Sequence, residues 1–297
     1  MNQNKTKDQR SKTEIPFVKM HGAGNDFVVL NALQNPLPDD FDFSRAAEIL
    51  CARHFGIGSD GLLLLAAGST PEAAIAMRMW NPDGSEDMCG NGLRCIARLA
   101  FDAGHVHKRE FIAQTHAGLR RCTVLKNGLV RVEMGAPVFD FAQIPMQPVS
   151  RDDTMQYALE VGNRVFENAV SLSTGSTHTV IFLDEELSEG EFQTLSPLIE
   201  NHELFPERTT VLWTRATDKN DLHVRIWERG VGETLACGTG ACAAAVAAKK
   251  TKRAANAVAV QSKGGVLQIE WSEKNAEPIW MIGPALTVYN GVLSFEF

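Results

Sequence analysis

Residues 88–95 read MCGNGLRC, and residues 236–242 read ACGTGAC. Each stretch sets a Cys-Gly-x-Gly tetrad in front of a segment with helical character. After the first, Leu93, Ile96, Ala97, Ala100 and Phe101 recur at the spacing of one helix face, which Gly104 ends. After the second, ACGTGACAAAVAAKKTKRAA holds so many strong helix formers that a helix is expected without periodicity. Cys89 and Cys237 stand 148 residues apart, about half of the 297-residue chain.

The segments leading to each tetrad follow one order. In the first half, IPFVKM, HGAGN and DFVVLNAL read as strand, glycine turn and strand. FSRAAEILCARHF then reads as a helix with Ser44 as its N-cap, and GLLLLAA and AIAMRMW as strands. In the second half, AVSLSTGSTHTVIFLD reads as strand, turn and strand, LSEGEFQTLSPLIENH as a helix and TVLWTRATDKNDLHVRIWERG as a hairpin. Glycine turns end at Gly24 and Gly175, 151 residues apart, and a tryptophan-bearing strand precedes each tetrad, at Trp80 and Trp227. Three features at one spacing point to an internal duplication and a pseudo-twofold molecule. RCTVLKNGLVRVEM is expected to be a hairpin in which Asn127-Gly128 supplies positive backbone angles. AVAVQSKGGVLQIEW and WMIGPALTVYNGVLSFEF read as two more hairpins, and the proline-bearing GAPVFDFAQIPMQPVS as a crossover. The expected division is a disordered tail over 1–14, one half over 15–134, a second over 135–283, and final strands over 284–297 returning to the first domain.

A hydrophobic content of 44% suits a globular protein, and a net charge of -7 without any Lys or Arg stripe argues against nucleic acid or an anionic membrane as partner. A small molecule is the better expectation. The polar first residues lack a signal-peptide core, and no apolar run is long enough to span a bilayer, so a cytoplasmic protein is expected. Its six cysteines, Cys51, Cys89, Cys95, Cys122, Cys237 and Cys242, should then remain thiols.

At a helix start several amides lack partners and the dipole presents positive charge. Cys89 and Cys237 are therefore expected to have thiol pKa values below the usual ~8.5. The small residues Gly90, Asn91 and Gly92, and Gly238, Thr239 and Gly240, would let a carboxylate approach bare amides. Two such helix starts facing each other would place one sulfur on each side of a carbon, which suits stereoinversion: one thiolate removes a proton and the opposite thiol returns one. Cys51, Cys95, Cys122 and Cys242 read as small core residues. GIGSDG at 56–61 matches a dinucleotide fingerprint in letters, but it follows a helix and precedes a strand, the reverse of the required order. GTGACA lacks the lysine of a P-loop, and the cysteine spacings do not suit zinc, so no metal is expected. His178, beside a glycine turn, is on its own as consistent with a satisfied histidine as with a catalytic one.

The motifs KMHGAGNDF, GIGSD, NPDGSEDMCGNGLRC, FPER and ERGVGETLACGTGACAA, in that order, make the chain resemble the diaminopimelate epimerases. The resemblance implies an α+β fold of two pseudo-symmetric domains, each a mixed sheet around a central helix. It implies an isomerase of lysine and peptidoglycan precursor synthesis that uses no pyridoxal phosphate or other cofactor, often as a homodimer. Cys89 and Cys237 would be the acid/base pair between LL- and meso-diaminopimelate. Asn25 and Asn81 would touch substrate, while Gly90 with Asn91 and Gly238 with Thr239 would offer amides to its carboxylate. Glu228 and Arg229 would bind its ammonium and carboxylate, with His178 and Glu228 supporting catalysis.

The chain departs from the family pattern at Gly61, where glutamine is common, and at Ser176 and Thr210, where asparagines hold the distal end of the substrate. Those two positions leave open a racemase of another amino acid, of histidine- or proline-racemase type, because a site built for polar partners rejects substrates that lack them.

Overall fold

The computed structural model describes residues 13–274 and 277–295. The tail expected over 1–14 lies outside the described residues up to residue 12, and Thr13 and Glu14 already belong to the first strand.

The first half comprises β1 (Thr13–Gly22), β2 (Asn25–Asn31), α1 (Phe43–Cys51), β3 (Gly61–Ala66), β4 (Ile75–Trp80), β5 (Glu86–Asp87), α2 (Gly90–Asp102), β6 (Glu110–Thr115), β7 (Gly118–Val124) and β8 (Val130–Glu133). After β9 (Tyr157–Val161), the order recurs. It runs through β10 (Arg164–Ser173), β11 (Thr177–Phe182), α3 (Glu189–Glu200), β12 (Thr210–Asp218), β13 (Asp221–Glu228), β14 (Gly232–Thr234), α4 (Gly238–Lys250), β15 (Ala257–Ser262), β16 (Gly265–Glu270) and β17 (Trp280–Gly283). β18 (Leu286–Phe295) closes the chain.

Pairing repeats with the elements. β2 and β3 are parallel, as are β11 and β12; β4 and β6 are parallel, as are β13 and β15. The neighbouring pairs are antiparallel in both halves, and Trp80 faces Glu86 as Trp227 faces Glu233. β8 and β17 join the halves antiparallel, β9 pairs with β10, and β18 takes the equivalent place beside β1.

Each sheet curls around one helix and carries another outside. Along β3, Leu63 and Leu65 face the core around α2, while Leu62 and Leu64 face the core under α1. Burial on both faces explains why GLLLLAA is a continuous apolar run rather than an alternating one. β12 repeats this: Leu212 faces α4, and Val211 and Trp213 face the cluster under α3. A fully buried leucine contributes about 1.5–3 kcal/mol. α4 is buried from Ala241 to Ala248 around its circumference. Alanines permit this, because their small side chains let strands close in on every side. α2 ends at the Ala103 C-cap, and Gly104 follows in the left-handed region (φ 75°), which glycine adopts without cost.

Four local expectations are corrected. α1 is capped by Asp42, which accepts from Arg45 N at 2.9 Å, and it ends at Cys51; the Ser44 hydroxyl instead donates to Gly84 O. In the turn between β7 and β8 only Gly128 has positive φ (86°), while Asn127 Oδ1 accepts from Leu129 N. The last two strands do not form a hairpin: β16 and β8 occupy both edges of β17, so β18 pairs with β1. β9 had no counterpart among the expected strands.

Candidate active site

Cys89 and Cys237 are the N-caps of α2 and α4, with nearly identical backbone angles (φ -132°, ψ 118° and φ -128°, ψ 115°). Each sulfur accepts from the third amide of its helix, Gly92 N at 3.5 Å and Gly240 N at 3.3 Å. The caps use an extended residue with a side-chain acceptor, the role usually taken by Ser or Asp. The glycines are required by space: a Cβ on Gly240 would sit 3.0 Å from Leu212 and 3.2 Å from the Cys237 Cβ.

The two helix starts meet. A Cβ on Gly238 would lie 2.9 Å from Asn91 Oδ1, and the charge of Cys89 bears on Cys237. Glu228 of the second half bears on Cys89 of the first, and Asp60 and Asp87 of the first half bear on Glu228. Both halves thus build one site.

The expected lowering of the thiol pKa values is overturned. Burial pushes Cys89 up to about 11 against the lowering pull of the Gly92 and Asn91 amides and Arg94. Burial also raises Cys237, which is 8% exposed, and the Glu228 carboxylate adds to the rise. Desolvation of a thiolate outweighs helix-start amides when little water reaches the sulfur. Burial likewise raises the Glu228 carboxyl, with the Thr234 hydroxyl and Cys237 thiol opposing it.

Asn25 reaches the first sulfur: its Oδ1 lies 3.5 Å from Cys89 Sγ and accepts from Asn91 Nδ2 at 3.1 Å. Its amide is held by Asp60, which accepts from Asn25 Nδ2 at 2.9 Å and from Asp26 N at 3.0 Å. Thr239 Oγ1 lies 3.3 Å from Cys237 Sγ, and its carbonyl accepts from Thr174 Oγ1. His178 is fully buried; its Nδ1 donates to Ser176 O at 2.7 Å, which leaves Nε2 as a buried acceptor with no partner among the described residues. Burial holds His178 down at about 4, so the ring is neutral. Thr210, opposite His178 across β11 and β12, accepts from Arg229 N at 3.1 Å. Arg229 Nη1 donates to Glu207 O, and the Arg229 charge bears on His178. Asn81 bonds Ser85 Oγ within its own turn, one residue past Trp80 as Glu228 is one past Trp227. Asp60 and Arg94 went unnoticed in the sequence, although GIGSD and MCGNGLRC contain them.

The described residues hold no group of three or more His, Cys, Asp or Glu side chains suited to a metal, and none of their helices is long and apolar enough to cross a membrane. All six cysteines are free thiols. Cavities of about 490 and 270 Å³ lie elsewhere, beside β18 and under the β12–β13 hairpin.

A mixed sheet wound around a helix twice, with a cysteine capping each central helix, frames the site, and the family and relatives of the chain make it an isomerase of the epimerase class. In fold it is similar to a hydroxyproline epimerase from Agrobacterium vitis (TM-score 0.69, 12% identity, 97% of this chain and 95% of that one). It is also similar to a probable proline racemase from Agrobacterium radiobacter (TM-score 0.68, 15% identity, 93% and 92%). The sequence profile of the family Diaminopimelate epimerase matches residues 17–139 and 170–288, and the chain belongs to that family. Diaminopimelate epimerases of Moorella thermoacetica and Desulforudis audaxviator are 42% and 44% identical to it, over 93% of this chain and 98% of each relative.

Proposed function

We propose that this chain interconverts LL- and meso-diaminopimelate with Cys89 and Cys237 as its acid/base pair. The observation that carries the reading is the symmetry of the caps: two thiols with the same backbone geometry, at two helix starts that meet. One sulfur, as thiolate, takes the α-proton; the other, as thiol, delivers a proton to the opposite face. The amides of Gly90, Asn91, Gly238 and Thr239 face the reacting carboxylate and stabilise the charge that builds on it. Glu228, with Asp60 and Asp87 near it, suits the substrate ammonium, and Arg229 a carboxylate. His178 supports the reacting end through Nε2. Asn25 and Asn81 act as substrate contacts, with Ser176 and Thr210 at the distal end.

The reading needs no cofactor, because the two thiols supply both base and acid. A racemase of another amino acid is not favoured: proline- and hydroxyproline-acting structures match at 12–15% identity, whereas named diaminopimelate epimerases match above 40%. Asn91 is 1% and Cys237 8% exposed, whereas Cys89 is half-buried and reachable from solvent. We read 15–134 and 135–283 as the two halves, with 284–297 returning to the first, and the protein as cytoplasmic. A homodimer fits β18, which among the described residues pairs with β1 alone and exposes Leu286, Val288, Tyr289 and Val292.

The test is incubation with LL-diaminopimelate in heavy water. Deuterium should enter one α-carbon as the meso form appears, and Cys89→Ala and Cys237→Ala should each slow inversion by about 10³-fold or more. Undiminished inversion in either variant would refute the two-thiol reading.

A further inference from the structure

The strands that lead into the two cysteines are too short to hold themselves in place. β5 is Glu86-Asp87 and β14 is Gly232-Glu233-Thr234, so neither brings an apolar side chain to bury, and both residues of β5 are exposed. Cys89 follows Glu86 by three residues, and Cys237 follows Glu233 by four. A two-point ion pair fastens each strand to its neighbour. Arg78 of β4 donates from Nε to Glu86 Oε1 and from Nη2 to Glu86 Oε2, both at 2.8 Å. Arg225 of β13 donates from Nε to Glu233 Oε1 at 2.7 Å and from Nη2 to Glu233 Oε2 at 3.2 Å. In each half the hydrogen bond from the arginine holds the carboxyl below the usual carboxylate range, so both pairs are ionised at neutral pH.

The two forks are copies. Arg78 and Arg225, Trp80 and Trp227, and Glu86 and Glu233 each stand 147 residues apart, and between 75–87 and 222–234 these three positions are the ones that carry the same residue. Both forks lie on the outer face of their sheet. Trp80 faces Glu86 and Trp227 faces Glu233, and these tryptophans pack into the clusters under α1 and α3, whereas the sulfurs belong to the core around the central helices. Each guanidinium lies over a ring on that face, Arg78 at 4.5 Å from the Trp80 centroid and Arg225 at 3.5 Å from that of Phe192. The second fork has two more ties: Arg225 Nη2 donates to Glu189 Oε2 at 2.7 Å, and Lys263 Nζ meets Glu233 Oε1 at 2.6 Å. The Arg78 side chain is 49% exposed, and an ion pair that open to water adds little to stability. What such a fork supplies is geometry, because two parallel bonds fix the carboxylate in the plane of the guanidinium.

We propose that Arg78 with Glu86, and Arg225 with Glu233, are positioning residues for the reaction, each fork pinning the short strand that aims one sulfur at the shared site. Lying on the outer face, they act through the strand and not on the substrate. Proton transfer depends on where the sulfur stands, and a misplacement of about 1 Å can cost about 10²-fold in rate. With one fork in each half, each governs its own cysteine.

The inference rests on Cys89 and Cys237 being the acid/base pair, yet its test reads the sulfurs without substrate. Iodoacetamide labelling of the full chain, followed by peptide mass spectrometry, gives a rate for each cysteine. Glu86→Gln keeps the shape of the side chain and removes its charge; it should raise the Cys89 rate at least about threefold and leave Cys237 at the wild-type rate. Glu233→Gln should do the converse. In each variant kcat should fall about tenfold, by more than KM rises, with the thermal midpoint within about 2 °C of the wild type. The reciprocal variant, Arg78→Glu with Glu86→Arg, should recover the Cys89 labelling rate and the kcat that Arg78→Glu alone loses. Wild-type labelling at Cys89 in Glu86→Gln and at Cys237 in Glu233→Gln would overturn the proposal, as would a reciprocal variant as impaired as Arg78→Glu. If one variant changes both cysteines equally while its thermal midpoint drops, the fork is a strut and the proposal falls. Should Cys89→Ala still epimerise, the two-thiol reading fails on its own, and the labelling rates still decide what the forks do to the sulfurs.

Discussion

His178 combines a buried neutral ring with an orphaned Nε2, and the first property has a consequence for stability. Its folded pKa, about 4, lies below the ordinary 6.5. The unfolded chain therefore binds the extra proton first as pH falls, and folding loses stability from about 6.5 down to about 4, with no further loss from this residue below that. Thermal midpoints between pH 7 and pH 4 should drop more steeply for the wild type than for His178→Gln; equal slopes would show the ring is not buried as a neutral base. Four thiols, Cys89 half-buried and three fully buried, act at the other end. Their folded values are raised from 9.0, to about 11 for Cys89 and about 12 for Cys95, Cys122 and Cys242, so stability present below pH 9 is lost as pH climbs toward 12. At this scale the sequence located Cys89 and Cys237 at two helix starts, because a tetrad repeated before a helix is visible in letters. It misjudged their pKa values, because the depth of a sulfur depends on the other half of the molecule.

The helix starts of α2 and α4 pack so closely that glycine stands where a side chain would collide. Gly238→Ala places a methyl 2.9 Å from Asn91 Oδ1 and 3.2 Å from Met281 Sδ, inside the contact between the two helix starts. We expect kcat/KM to fall at least about tenfold, with a loss of about 1–3 kcal/mol in stability from overpacking; kinetics and denaturant unfolding of the purified variant test both. Activity at the wild-type level would mean that the carboxylate does not sit between these helices. Elements with strong local signals were legible: the apolar runs of β3 and β12, the alanine-rich α4, and α3, whose Ser188 and Glu191 form a reciprocal cap. The pairing of the last strand was not. WMIGPALTVYNGVLSFEF has the look of a hairpin, and nothing within it reveals that β8 already fills the second edge of β17.

As a whole molecule the chain joins its two halves through β8 and β17, and among the described residues β18 is paired with β1 alone. The proposed homodimer would use this edge, where Leu286, Val288 and Val292 are more than half exposed. Val288→Glu combined with Val292→Glu should convert a dimer to a monomer in sedimentation experiments and leave the thiols of each protomer in place. A wild-type protein that sediments as a monomer at micromolar concentration would dispose of the dimer. By itself the sequence determined the duplication, the two central helices, the pair of sulfurs that cap them and the kinship with diaminopimelate epimerases, since each is written in local spacing and residue type. Only the tertiary structure decided how deep those sulfurs lie and which residues of one half act on the other. Those properties depend on distances across the chain and on the exclusion of water, and neither is encoded in any single stretch of residues.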